Sequence, residues 1–138
     1  MIYLILLDEA DTMKDTNTKL GNCIRQKRLK KGFTLDQLSI RSGVNKGHIS
    51  DIENGKVSMK LETMDALINA LQTDYRNLYN IYLSKIGTVE SCRQFIFRCI
   101  ERNDHIIAKR GLHKLFFMSS KGRITTNSVD ELVIFFDI

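Results

Sequence analysis

Between Asn45 and Lys56 the chain gathers Asn45, Lys46, His48, Ser50, Asn54 and Lys56, a set of amide, ammonium, imidazole and hydroxyl groups. Such groups make directional hydrogen bonds and neutralise anions, so the chemistry open to them is recognition of a polar, negatively charged partner. Bond-making chemistry needs other patterns. The sequence shows no Gly-rich phosphate loop, no nucleophile–base arrangement and no metal-ligand set. Cys23, Cys92 and Cys99 form no CxxC or Cys/His pair, and His105 and His113 read as surface residues. The expectation is a protein that is not an enzyme and takes no cofactor and no metal.

Those residues need helices to hold them. Thr34-Leu-Asp-Gln37 has the form of a capping box opening a short helix that carries Leu35, Leu38 and Ser39 and stops at Ser42-Gly43. Asn45 then caps a helix from Lys46 to about Asn54, with Ile49 and Ile52 turned inward and Gly55 as its stop. Two helices joined so tightly require a small residue where they touch, which Ser39 supplies. They also require a positive-φ position in the turn, supplied by Gly43, and an apolar residue just after it, Val44. Around this pair, Thr18 predicts the start of a helix reaching about Lys31. Leu61, Met64, Leu67, Ile68 and Leu71 predict another, and Asp74 predicts the cap of a fifth over Tyr75 to about Leu83.

Beyond Ser84 the spacing predicts helices over Thr88 to Arg102 and from an Asp104 cap through Met118. Ser119 to Arg123 reads as a loop. Ser128-Val-Asp-Glu131 is a second capping box, ahead of an apolar run, Leu132 to Phe136, that fits either a helix or a buried strand.

Thr18 to Tyr79, and above all the stretch Thr34 to Gly55, resembles the Cro/C1 repressor-like (Xre-like) helix-turn-helix family. The resemblance implies an all-α protein: a five-helix lambda-repressor-like DNA-binding domain over residues 14–83, followed by a small helical segment over 84–138. It implies that the third helix enters the major groove of double-stranded DNA. Asn45, Lys46, Gly47, His48 and Ser50 would then face the DNA, with Asp51 at the margin. Thr34 would stand where the second helix meets the backbone, and Asn54 and Lys56 where the following loop meets phosphate. The family also pairs residues at the positions of Arg28 and Glu53 in a partly buried ion pair, which is scaffold rather than recognition.

The sequence departs from the family pattern in three places. Leu35 stands where many members have a Gln that contacts phosphate. Val57 to Lys60 lacks the Pro common there, and Gly47 offers no side chain to a base while costing about 1 kcal/mol of helix propensity against Ala. The resemblance further implies a homodimer on a two-fold-related site and a repressor's role in transcription regulation. Residues 84–138 would serve dimerisation or the sensing of a peptide or protein effector. An antitoxin of a toxin–antitoxin pair and a protein-interaction module of the same fold are the alternatives. Asn45, Lys46 and His48, with no aromatic beside them, favour DNA over a protein partner.

Composition agrees with this reading. The 43% hydrophobic content suits a chain with a packed core, and no Pro interrupts a helix anywhere. The net charge of +5 is unevenly spread: residues 1–13 hold Asp8, Glu9 and Asp11 without a base, while residues 14–80 carry most of the excess of Lys and Arg. The run Arg25 to Lys31 reads as a solvated helix face or as electrostatic support for nucleic acid. Ile2 to Leu7 is too short to span a membrane and lacks the basic start and cleavage site of a signal peptide. With an odd number of cysteines, the expected place is the reducing cytoplasm.

Overall fold

The computed structural model describes residues 2–120, with side chains placed for residues 15–118. Among the described residues there are seven α-helices: α1 (Ile2–Lys30), α2 (Leu35–Ser42), α3 (Lys46–Glu53), α4 (Leu61–Leu71), α5 (Arg76–Lys85), α6 (Val89–Glu101) and α7 (His105–Ser120). They fall into two compact units, Met1–Lys85 and Ile86–Ile138.

The first unit is built on α1. Leu20 and Ile24, one turn apart, are buried where α1 packs on α3 and α5. Leu38 of α2, Ile49 and Ile52 of α3 and Met64, Leu67, Ile68 and Leu71 of α4 complete the core, with Leu78 and Tyr79 of α5 beside them. Local chemistry sets most of the ends. The Arg76 N–H donates to Asp74 Oδ1 at 3.0 Å, opening α5. The last turn of α4 closes on Gln72 in the left-handed region, where its N–H donates back to Asn69 and Ile68.

Helix α1 overturns one expectation. Thr18 does not begin a helix but lies inside one that runs continuously from Ile2. A Thr cap is an alternative to helix, and it prevails only when the residues before it favour leaving the helix. Here the preceding stretch holds no Pro or Gly and many good helix formers, so propagation wins.

The larger correction concerns fold class. Five helices with a small appendage was the expectation; the second unit is a substantial, tightly packed helical pair with its own interior. Thr88 Oγ1 accepts from the Ser91 N–H to start α6, and Asp104 Oδ1 accepts from the Ile107 N–H to start α7. Between them Asn103 adopts a positive φ, and the Asp104 N–H returns to the Cys99 carbonyl at 2.9 Å. Cys92, Phe95, Ile96 and Cys99 of α6 are buried, as are Ile107, Ala108, Leu112, Leu115 and Met118 of α7. Burying these side chains makes α6 and α7 a core in their own right rather than a tail. Helix α7 also continues to Ser120, past the expected start of a loop at Ser119. The second capping box at Ser128 and the apolar run Leu132 to Phe136 lie outside the described residues.

Candidate nucleic-acid interface

Helices α2 and α3 are locked to one another by short-range contacts. Thr34 Oγ1 accepts from the Gln37 N–H at 3.1 Å while the Thr34 N–H donates to Gln37 Oε1 at 2.9 Å, a complete capping box. At the other end Gly43 takes φ +74°, where a side chain is disfavoured, and its N–H closes on the Ser39 carbonyl at 2.9 Å. The Ser39 hydroxyl donates to the Val44 carbonyl at 2.6 Å, and the Val44 N–H donates to Ser42 Oγ at 3.1 Å. Val44 itself is half-buried rather than buried. Asn45 Oδ1 then accepts from the N–H groups of Gly47 and His48, at 2.8 and 3.3 Å, and starts α3.

The faces of α3 divide cleanly. Ile49, Ile52 and Glu53 are buried. Lys46 and Gly47 are exposed, with Ser50 and Asp51 half-buried one turn further on, so these four share the outward side. His48 is half-buried at the flank of that side. Asn45 precedes it, and Thr34 stands exposed at the start of α2. Asn54 and Lys56, both exposed, follow α3 in the loop. The local bonds narrow what each group can offer. Asn45 spends its carbonyl oxygen on the cap and keeps its amide protons. Asn54 Nδ2 donates back to the Ser50 carbonyl at 2.9 Å, leaving one amide proton for any other acceptor. Thr34 has both its N–H and a hydroxyl lone pair engaged in the capping box.

Beneath the outward face lies a buried ion pair. Arg28 Nε donates to Glu53 Oε1 at 2.6 Å and Nη2 to Oε2 at 3.1 Å, a two-pronged contact joining α1 to the end of α3. Arg28 Nη1 also donates to the Phe33 carbonyl at 2.9 Å. The approach of α1 to α3 depends on Gly21, where a Cβ would fall 2.1 Å from the Ile52 carbonyl oxygen. The basic run Arg25 to Lys31 is therefore only partly a solvated face. Arg28 is buried in this pair, and Lys27 is half-buried with its ammonium donating to Thr73 Oγ1 at 3.1 Å. Arg25, Lys30 and Lys31 remain exposed.

The loop from α3 to α4 is held by Lys85. Its ammonium donates to Ser58 Oγ at 2.8 Å and to the Met59 carbonyl at 2.6 Å, and lies 4.5 Å from the centre of the Tyr82 ring. Burial lowers the Lys85 pKa from 10.5 to about 8. One further charged residue went unrecognised in the sequence. Asp36, in the first turn of α2, meets the Lys46 ammonium across the turn. Ten positions separate the two, and no periodicity of a single helix would have paired them.

Two short helices joined by a left-handed glycine, the second burying one side and presenting Asn45, Lys46 and Ser50 on the other, define a helix-turn-helix module. Residues 24–78 match the family model described as Helix-turn-helix, so this stretch is a helix-turn-helix domain. Such a domain is a non-catalytic, DNA-binding module with a regulatory role, and DNA is the partner it implies. No curated protein and no solved structure matched the chain. Among the described residues no group of three or more His, Cys, Asp or Glu is placed to hold a metal ion, and no helix is long and apolar enough to cross a membrane.

Proposed function

We propose that this protein is a sequence-specific transcriptional repressor of the Cro/C1 type, reading the major groove of double-stranded DNA with α3 and binding as a homodimer. The observation that carries this reading is the two-sided character of α3. Its apolar side and Glu53 are fixed in the core, so the presentation of Asn45, Lys46, Gly47, His48 and Ser50 is rigid before any partner arrives. Asn45 and Ser50 supply directional groups for base edges. Thr34, Asn54 and Lys56 flank them and suit phosphate contacts that fix register without reading sequence. Gly47 lets a DNA strand or base edge approach the α3 backbone closely.

Dimerisation is supported by the economy of the site, since one helix of eight residues reads only a few base pairs. It is supported also by the second unit, where Phe97, Ile106, Phe116 and Phe117 are exposed on α6 and α7. Apolar side chains of that size suit a protein–protein contact where they form one contiguous patch. A peptide or protein effector would act through this same unit.

Selection of bound duplexes from a random pool tests the reading. The expected result is an enriched motif made of two related half-sites about 10 base pairs apart, centre to centre. Failure to enrich any motif would rule out sequence-specific binding, and a single unrepeated motif would rule out the symmetric dimer. On the selected site, Lys56→Ala is expected to lower the salt slope of binding by about 1 without altering the preferred sequence.

A further inference from the structure

The outward face of the helix-turn-helix carries an ion pair that contributes little to holding the fold. Lys46 Nζ stands 3.1 Å from each of the two carboxylate oxygens of Asp36. Both side chains are more than half exposed, 55% and 68%, and exposed pairs of this kind are worth little in stability. Its position is what gives it consequence. Lys46 is the first residue of α3 and the only Lys or Arg in that helix, while Asp36 sits on the neighbouring helix within reach of the same ammonium. A carboxylate there holds the cation in the way that a phosphate oxygen would.

We propose that Asp36 is an internal counter-ion that competes with DNA phosphate for Lys46 and so limits the affinity of the protein for DNA of any sequence. This rests on the reading of α3 as the DNA-facing helix. In the free protein the Lys46 ammonium is already held by Asp36, so a phosphate can take it only by displacing the carboxylate, which offsets part of the gain. The Asp36 carboxylate, displaced from Lys46, is left close to the polyanion and repels it. The interface thus attracts DNA less strongly than its count of cations suggests. Binding must then draw more on the contacts of Asn45 and Ser50 with bases, which matched sites alone provide.

The test is the salt dependence of binding to a mixed-sequence duplex and to a selected site, for the full-length protein and four variants. Asp36→Asn keeps the shape of the side chain and removes its charge. It is expected to tighten binding to both duplexes about threefold to tenfold at low salt and to steepen the salt slope by about 1. Glu62→Gln, an exposed acid on α4, controls for a change of one unit in net charge. In a Lys46→Met background Asp36→Asn should do no more than this control, because the cation over which the carboxylate competes is gone. Unchanged or weaker binding by Asp36→Asn would overturn the proposal, the weaker result meaning that Asp36 instead positions Lys46 for contact. An equal gain with and without Lys46 would overturn it too, as a general charge effect. If the unaltered protein bound neither duplex, the DNA-facing reading of α3 would itself fall, an outcome distinct from a failure of Asp36→Asn alone.

Discussion

Arg28 and Glu53 meet through two parallel hydrogen bonds inside the first unit, 25 positions apart in sequence, and tie the last turn of α1 to the last residue of α3. The pair sits directly behind the face that the helix-turn-helix presents. Leaving either charge buried without the other is costly. Glu53→Ala or Arg28→Ala is expected to lose about 3–5 kcal/mol of stability in denaturant unfolding. A loss below about 1 kcal/mol for both would show that the pair is solvated in solution.

Gly21 governs the same contact from the side of α1. An Ala there gains about 1 kcal/mol of helix propensity, yet its Cβ would overlap the Ile52 carbonyl oxygen at 2.1 Å. Backbone cannot step aside as a flexible side chain can, and overpacking costs about 1–3 kcal/mol or more. Gly21→Ala is therefore expected to lower the unfolding midpoint. A raised midpoint would mean that α1 and α3 stand further apart than described.

Asn45 has two roles that substitutions can separate. Asn45→Ala removes the acceptor for the Gly47 and His48 N–H groups and is expected to cost about 1 kcal/mol of stability, together with relaxed base preference. Asn45→Asp retains the cap, so it should unfold like the parent protein while losing affinity through the added negative charge. Paired unfolding and binding measurements decide the matter. Equal destabilisation by both variants would exclude the cap as the source of the loss.

Lys85 gives the fold a dependence on pH with a definite sign. Its folded-state pKa of about 8 lies below the ordinary 10.5, so between those values the unfolded chain binds the proton that the folded one has released. Stability should therefore rise as pH increases from about 8 to about 10.5, and the gain should be lost as pH falls through about 8. Lys85→Met is expected to remove this component, read as the difference between the two proteins in denaturant unfolding at each pH. Parallel profiles would show that the Lys85 ammonium stays hydrated.

Much of the helix-turn-helix was legible in the sequence because its defining interactions are local. The capping box of Thr34 and Gln37, the Asn45 cap and the left-handed turn at Gly43 each act within about four residues. The apolar spacing of α4 likewise located Leu61–Leu71 directly. Other features needed the folded chain. Thr18 looked like a cap, and only the competition with an uninterrupted run of helix formers placed it inside α1. The size of the second unit is not legible in the sequence, because the α6 and α7 stripes show that a surface is buried, not how much it buries or against what. Asp36 reached Lys46, and Gly21 reached the Ile52 carbonyl, only through the packing of separate helices. Sequence determined the helices that follow Thr18 as far as Met118 and which side of α3 turns inward, since propensity, capping and periodicity are properties of neighbouring residues. Tertiary structure decided which charges meet and how closely helices approach, since those distances are set by the packing of side chains far apart along the chain.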